Sequence, residues 1–519
     1  MDRRTFIAAG AGTAATLGLG TAAMSPAHAT PSRGGGSGSG HRQLMGWFAD
    51  THRSLEAMTS DLGLPSDTIE FTGADRPVRS RNTSPTNIGC LLWTTVAAAG
   101  LGLLDRATLR RRLHRTVEAV EGLERAEGFW LNWYDPRDGS TLTEWPETGE
   151  EVRPFLSSVD NAWLVAGLRI AAEAEPTVRG RVARLLKDAD WSFFYTPYDP
   201  DDPVAGPGQL RGGYWTDTGK PTDHHYGALN SETRIASYLG IGDGSLPAEH
   251  YWCLLRTMLP EHEQEQPPKG RWRTVDGVRL WQGYYTYRGR KVIPSWGGSM
   301  FEALMPALLI PEREWSPRSW RVSQENFIRG QIEHGLVEAE YGYWGFSPCN
   351  VPEGGYQEYG VDALGLDVNG YCSNTDRTSV TWGEPLPPAS DYTNGVVTPH
   401  AAFLALPYAH GDALRNLRAL DRDFDIYQKG YGFRDSVNVS TGRVSDFMLA
   451  LDQGMIAAAL AQRLRPGLLQ RAFARGEFGA RIRPLVSRQP RYPHLGGDRL
   501  HLRHPQRDVR QPHRLRHRP

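Results

Sequence analysis

"TNIGCLLWTTVAAAGLGL" (86–103) and "SDFMLALDQGMIAAALAQRL" (445–464) decide the fold. In both, apolar residues recur at helical spacing, and glycine and alanine occupy much of the remaining circumference. A helix with one apolar stripe packs on one side; these two can be approached closely from several. Working outward, the same periodicity recurs near 42–61, 105–126, 157–174, 176–192, 230–241, 247–258, 296–309, 321–338, 398–408 and 410–420. Start signals support these segments: Ser84-Pro85, Asp105, Glu175-Pro176, Pro399 inside a first turn, and Ser445. Charged helices such as 105–126 alternate with apolar ones. The expectation is an all-α fold, an inner ring of buried helices inside an amphipathic outer ring, for which an (α/α)6 barrel is the natural closed form.

The two ends read differently. Residues 1–29 combine Arg3-Arg4, a short apolar run and Ala27-His28-Ala29, the pattern of a twin-arginine export signal with its cleavage site. A soluble, secreted protein is expected, because the run is short for an anchor and no later segment has the ~20 apolar residues of a span. Residues 30–41, containing "GGGSGSG", read as a flexible linker and 42–484 as the folded domain. Residues 485–519 read as a disordered Arg/His/Pro-rich tail, more in keeping with out-of-frame translation than with a functional arm. Net charge is −1, yet residues 481–519 hold eleven Arg and two Asp, so the remainder is acidic. An acidic domain is a poor partner for nucleic acid. Cys90, Cys253, Cys349 and Cys372 have no metal-like spacing; free thiols are expected, with Cys349 and Cys372 the pair to form if any does.

The loops place Trp and Tyr beside Gly and Asp: "GFWLNWYDP" (128–136), "WSFFYTPYDP" (191–200), "GGYWTD" (212–217), "RLWQGYYTYRG" (279–289), "YGYWGFSP" (341–348) and "YGFRDSVN" (431–438). Aromatics at helical spacing, such as Trp93 and Trp163, read as core. In surface loops, flat rings suit the apolar faces of sugars and the neighbouring Asp, Asn and Gln suit hydroxyls, so a glycan is the expected partner.

Several stretches resemble a known group: "SPTNIG" (84–89), "NWYD" (132–135), "SSVDNAWLVAGL" (157–168), "NSETRIASYL" (230–239), "SWGGSMFEALMPALL" (295–309), "YGYWGFS" (341–347), "YGVDALGL" (359–366) and "ALDQGM" (450–455). Together and in this order they resemble the bacterial glucoamylase-like family that includes the endo-β-1,2-glucanases of glycoside hydrolase family 144. More distantly they resemble the cyclisation domain of cyclic β-1,2-glucan synthases. The resemblance covers about residues 42–484. It implies an (α/α)6 barrel with a substrate cleft at one end, with Glu232 facing that cleft.

Glycoside hydrolysis needs one carboxyl to protonate the leaving group and another to activate water or attack carbon. Glu232 is the candidate acid; read locally, it is only a first-turn acid in a helix capped by Asn230. Asp160 is the candidate base; its alternative is a helix N-terminal acid, and some hydrolytic relatives carry a further acid where this chain has Ser157. Glu302 reads as a cleft residue or as a buried ion-pair partner. Asp135, Glu358, Asp362, Asp391 and Asp452 read as ligands of sugar hydroxyls or of the scaffold. Trp163, Trp296, Tyr343 and Trp344, within the family stretches, join the expected substrate contacts. Cyclising relatives carry a Glu just after "WG", where this chain has "FSPCN", so hydrolysis is favoured over transglycosylation.

"DHHYG" (223–227) raises the question of metal, but adjacent histidines do not point the same way and no HExxH follows. No metal or cofactor is expected. The reading that results is a secreted, monomeric glycoside hydrolase cutting a neutral β-glucan, foremost as an inverting endo-β-1,2-glucanase. Its rivals are a non-catalytic glycan-binding protein of the same fold, and a hydrolase, transglycosylase or lyase of another linkage; a lyase would use His225 and Tyr226.

Overall fold

The computed structural model describes residues 36–71, 77–262, 264, 266–357, 359–366 and 395–491. The expected signal peptide, the end of the chain from 492, and Glu358, Cys372 and Asp391 lie outside the described residues.

The helices run in the order α1 Gly36–Met58, α2 Pro85–Gly100, α3 Arg106–Gly122, α4 Ser158–Ala174, α5 Arg179–Leu186, α6 Arg234–Asp243, α7 His250–Cys253 and α8 Met300–Leu304. They continue with α9 Glu312–Trp315, α10 Trp320–Glu333, α11 Pro399–Ala405, α12 His410–Asp423, α13 Ala450–Leu464, α14 Leu468–Phe473 and α15 Gly476–Arg488. The sequence signals act as chemistry requires. Ser84 Oγ accepts from Asn87 N ahead of Pro85 in α2, Asp105 accepts from Thr108 N in α3, and Ser157 accepts from Asp160 N in α4. Residues 36–41, read as linker, are helical and belong to α1.

Of the boundaries that depart from the periodicity, four have an evident backbone reason. The helix expected over 247–258 stops at Cys253, because Leu255 N donates to Gly227 O and Leu255 O accepts from Leu229 N. That expected over 296–309 is cut to α8 by Gly297 and Gly298, with φ of 56° and 69°, and then by Pro306, which has no N–H for the next turn. A Cβ on Gly298 would stand 1.9 Å from Val361 O. Ser445 does not cap α13: Phe447–Leu449 is instead a strand, with Met448 opposite Ile69. Asn230 does not cap α6, which starts at Arg234; its side-chain amide donates to Ile293 O.

Helices α2, α4, α6, α8, α11 and α13 are buried on nearly every side, whereas α3, α10, α12 and α15 bury one face. Small residues permit this. Gly89 of α2 and Gly167 of α4 meet backbone to backbone, and a Cβ on Gly89 would lie 2.4 Å from Trp163 O. Gly454 of α13 sits against Cys90 of α2. Packing runs from α2 to α4, α4 to α6, α8 to α11, α11 to α13 and α13 back to α2. Arg234 of α6 bridges to α8 through Glu302 O and Ala303 O. The sheets are two- and three-stranded and lie in the connections.

The loop aromatics are more buried than their composition suggests: Trp130, Trp191 and Trp344 belong to the core. Cys90 and Cys349 are buried free thiols and Cys253 a half-buried one. Among the described residues no helix is long and apolar enough to cross a membrane.

Candidate active site

Glu232 precedes α6 in a turn, and its carboxyl is almost fully buried, 6% exposed as a residue. Trp163, one turn beyond Asp160 on α4, donates its indole N–H to Glu232 Oε2 at 2.9 Å. From the other side Glu302 Oε2 accepts the Glu232 backbone N–H at 2.9 Å and the Ser231 hydroxyl at 2.7 Å. Glu302 is itself set in the first turn of α8, where Ser299 Oγ accepts its N–H. Glu302 is thus an acceptor that fixes the turn carrying Glu232. Glu302→Ala is expected to leave two buried donors without an acceptor, at about 1–3 kcal/mol each. Glu302→Gln, which keeps an oxygen there, should lose less, and the order of their unfolding midpoints checks this.

Arg234 braces the same turn. It donates to Ser231 O at 2.9 Å and to Glu312 at 2.7 and 3.1 Å, and all of it is buried.

Further acids are coupled to one another, beginning with Asp160 on the helix that carries Trp163. Asp160, half-buried, accepts from Thr86 Oγ1 at 2.6 Å. With the Asn132 amide turned to satisfy both its ends, Asn132 donates to Asp160 Oδ2 at 3.2 Å and accepts from Trp133 Nε1 at 3.1 Å. Asp67, which sequence reasoning missed, is raised above the usual carboxylate range by burial and by the charge of Asp160, against a hydrogen bond from Asn87. Asp452, in the first turn of α13, is pushed up to about 7 by burial, with Asp67 adding to the rise. Asp435, also missed, rises well above its ordinary value by burial and then by Asp452. Tyr356 is raised by burial and then by the charges of Asp452, Asp435, Cys349 and Glu232. Asp435 lies in a connection between two short strands, within the aromatic loop 431–438, whose pattern did not single out this acid.

The other expected contacts separate. Asp135 is engaged by Arg137 at 2.7 Å and by Arg81 at 3.4 Å, a scaffold role. Trp344 is 2% exposed and packed in the core, so it offers no face to a sugar. Tyr343 donates its hydroxyl to Asp423 at 2.7 Å on an exposed edge. Trp296 is half-buried, and Trp163 stacks edge-on against Trp93 while holding Glu232. Two surface cavities, of about 300 Å³ beside Asp61 and Arg115 and about 890 Å³ beside Arg271, Arg273 and Arg488, contain none of these residues.

His225 of "DHHYG" is depressed to about 4 by burial, then by Arg211 and His224, and pairs with Thr196 Oγ1 at 2.8 Å. Ligand-type atoms close enough for a cation occur instead, among the described residues, at His400, Asp435 and Asp452, which lie within 4.8 Å of one another.

Against this geometry the comparisons with known proteins fall into place. Residues 270–477 match the glycoamylase family, described as "Putative glucoamylase", and the family is the one the motifs resemble. The chain is 22% identical over 401 residues to the exo beta-1,2-glucooligosaccharide sophorohydrolase (non-reducing end) of Parabacteroides distasonis, covering 73% of this chain and 49% of that protein. It is 28% identical over 550 residues to the cyclic beta-(1,2)-glucan synthase of Rhizobium meliloti, covering 79% of this chain and 17% of that one. The chain thus spans half or less of the length of these curated relatives. The crystal structure of a putative glucoamylase from Bacteroides uniformis superposes with a TM-score of 0.64 at 17% identity, over 86% of this chain and 97% of that one, so the fold is shared.

Proposed function

We propose that the protein is a secreted glycoside hydrolase that cleaves β-1,2-linked glucan internally, with Glu232 as proton donor. The observation that carries this is the buried Glu232 carboxyl, fixed by Trp163 and by the Glu302-bound turn beside further acids. A carboxyl held in one geometry, with water largely excluded, is placed to act on a leaving-group oxygen. The matched relatives, both named for β-1,2-linked glucan, support the linkage. Packing between successive buried helices, with α6 tied to α8 through Arg234, supports an (α/α)6 barrel, with the substrate entering a cleft at one end. Arg3-Arg4 and Ala27-His28-Ala29 support export by the twin-arginine route, and we take the working unit to be a monomer without nucleic-acid partner.

Asp160 is the proposed base, on the helix that also supplies Trp163. Asp452 is the second candidate, favoured by a carboxyl brought to about 7, near the pH at which a general base works best. Inversion, the proposed stereochemistry, requires donor and base carboxyls roughly 6.5–9.5 Å apart. Incubation with linear β-1,2-glucan tests all of this. Wild type is expected to release reducing ends. Asn at the true base position should cost about 10²–10⁴-fold in kcat, whereas Asn at the other should act mainly on KM. No release of reducing ends by wild type, with binding seen in a calorimeter, would favour a glycan-binding protein.

A further inference from the structure

Beside His400, the carboxyls of Asp435 and Asp452 each bring an oxygen within 4.8 Å of the other, and both residues are about 2% exposed. Asp435 Oδ2 accepts the Asn350 N–H, but among the described residues no donor makes a full hydrogen bond to Asp435 Oδ1 or Asp452 Oδ2. Two buried carboxylates this close repel unless a proton or a cation lies between them. The neighbouring histidine is not that cation. Thr398 donates its hydroxyl to Asp435 O at 2.7 Å, so its oxygen accepts the His400 Nδ1–H at 2.7 Å. The Nε2 atom of His400 is then bare and, among the described residues, without a partner, and burial holds the ring neutral, with its pKa down at about 4. His400 Nδ1 lies 3.3 Å from Asp452 Oδ2 and can lend that oxygen only part of a hydrogen bond.

We infer that Asp435 is a positioning residue that keeps its proton and donates it to Asp452, so that the pair carries one negative charge and Asp452 remains a carboxylate. The pair works as one unit and its ionisations belong to both residues. The ionisable groups facing it are His400 from α11, Cys349 and Tyr356 from a hairpin, Asp67 from the loop before Thr68, and Cys90 from α2. None of these supplies a full positive charge, which is why a retained proton is the economical solution. The inference deepens the proposed hydrolysis, on which its activity arm rests, while its stability arm does not.

Two substitutions and a melting series test it. Asp435→Asn keeps a donor toward Asp452, so its kcat/KM profile on linear β-1,2-glucan should keep the wild-type acid limb. Asp435→Ala removes the donor; a hydrogen bond to a charged group is worth about tenfold or more, so activity should fall by that factor and the acid limb move to higher pH. Both carboxyls are raised in the folded protein, so the stability they confer is complete below about pH 4 and is lost as pH rises through about 7 and beyond. Asp435→Asn deletes one of the two, so its Tm relative to wild type should be higher at pH 8 than at pH 5. A Tm difference unchanged between pH 5 and pH 8, or Asn and Ala variants with the same pH profile, would overturn the inference. So would a stoichiometric divalent metal in the purified protein whose removal by chelator lowers Tm. If wild type cleaves no glucan, the hydrolase reading fails and the melting series alone decides the pair.

Discussion

Glu232→Gln is expected to lower kcat on β-1,2-glucan by about 10²–10⁴-fold, the range of a lost general acid, while the protein folds and binds sugar as before. The amide is isosteric, and its oxygen can still accept the Trp163 indole N–H now bound at 2.9 Å. The backbone N–H at position 232 still reaches Glu302. What disappears is the transferable proton. KM should therefore move little, and the unfolding midpoint should stay near that of wild type. Reducing-end assays and heat unfolding on the same preparations separate the chemical loss from a structural one. A variant with more than a third of wild-type kcat would remove Glu232 from the donor role.

The largest effect on stability is expected from Arg234→Met. Arg234 and Glu312 are both fully buried and joined by two hydrogen bonds of 2.7 and 3.1 Å. Tyr238 and Gln324 each add a donor to Glu312 at 2.7 Å, and the guanidinium lies 4.9 Å from the Trp320 ring centre. Removing the cation strands the anion away from water, a loss of about 3–5 kcal/mol for a broken buried pair. It also removes the donors to Ser231 O, Glu302 O and Ala303 O that tie α6 to α8 under Glu232. Adding Glu312→Gln should restore part of the loss, because the stranded charge goes while the amide oxygen still accepts from Tyr238 or Gln324. Urea midpoints of the single and double variants measure this; a double variant less stable than Arg234→Met alone would mean that the buried charge is not the main cost.

Helices were legible wherever local chemistry decides the backbone. Ser84-Pro85, Asp105 and Pro399 mark starts that depend on neighbours within four residues, and each start is found. The pattern misled where distant partners take over the backbone, as at Leu255 and at Phe447–Leu449. The site was legible in part for the same reason. Asp160 and Glu302 lie at helix starts and Glu232 just before one, within apolar helical patterns that make an acid conspicuous, whereas Asp67 and Asp435 sit in irregular connections and His400 in an apolar helix where it reads as core. Aromatic loops suggested open sugar platforms, but Trp130, Trp191 and Trp344 are packed inward, because a ring beside a glycine can fold under the loop as readily as over it.

The most direct test of the account is a crystal structure of the Glu232→Gln protein with a short β-1,2-linked glucooligosaccharide. The account predicts a glycosidic oxygen within about 2.6–3.2 Å of the side-chain amide that this substitution introduces, with Asp160 or Asp452 across the sugar ring from it. Sugar bound elsewhere on the protein, or the substituted side chain out of reach of every glycosidic oxygen, would contradict it.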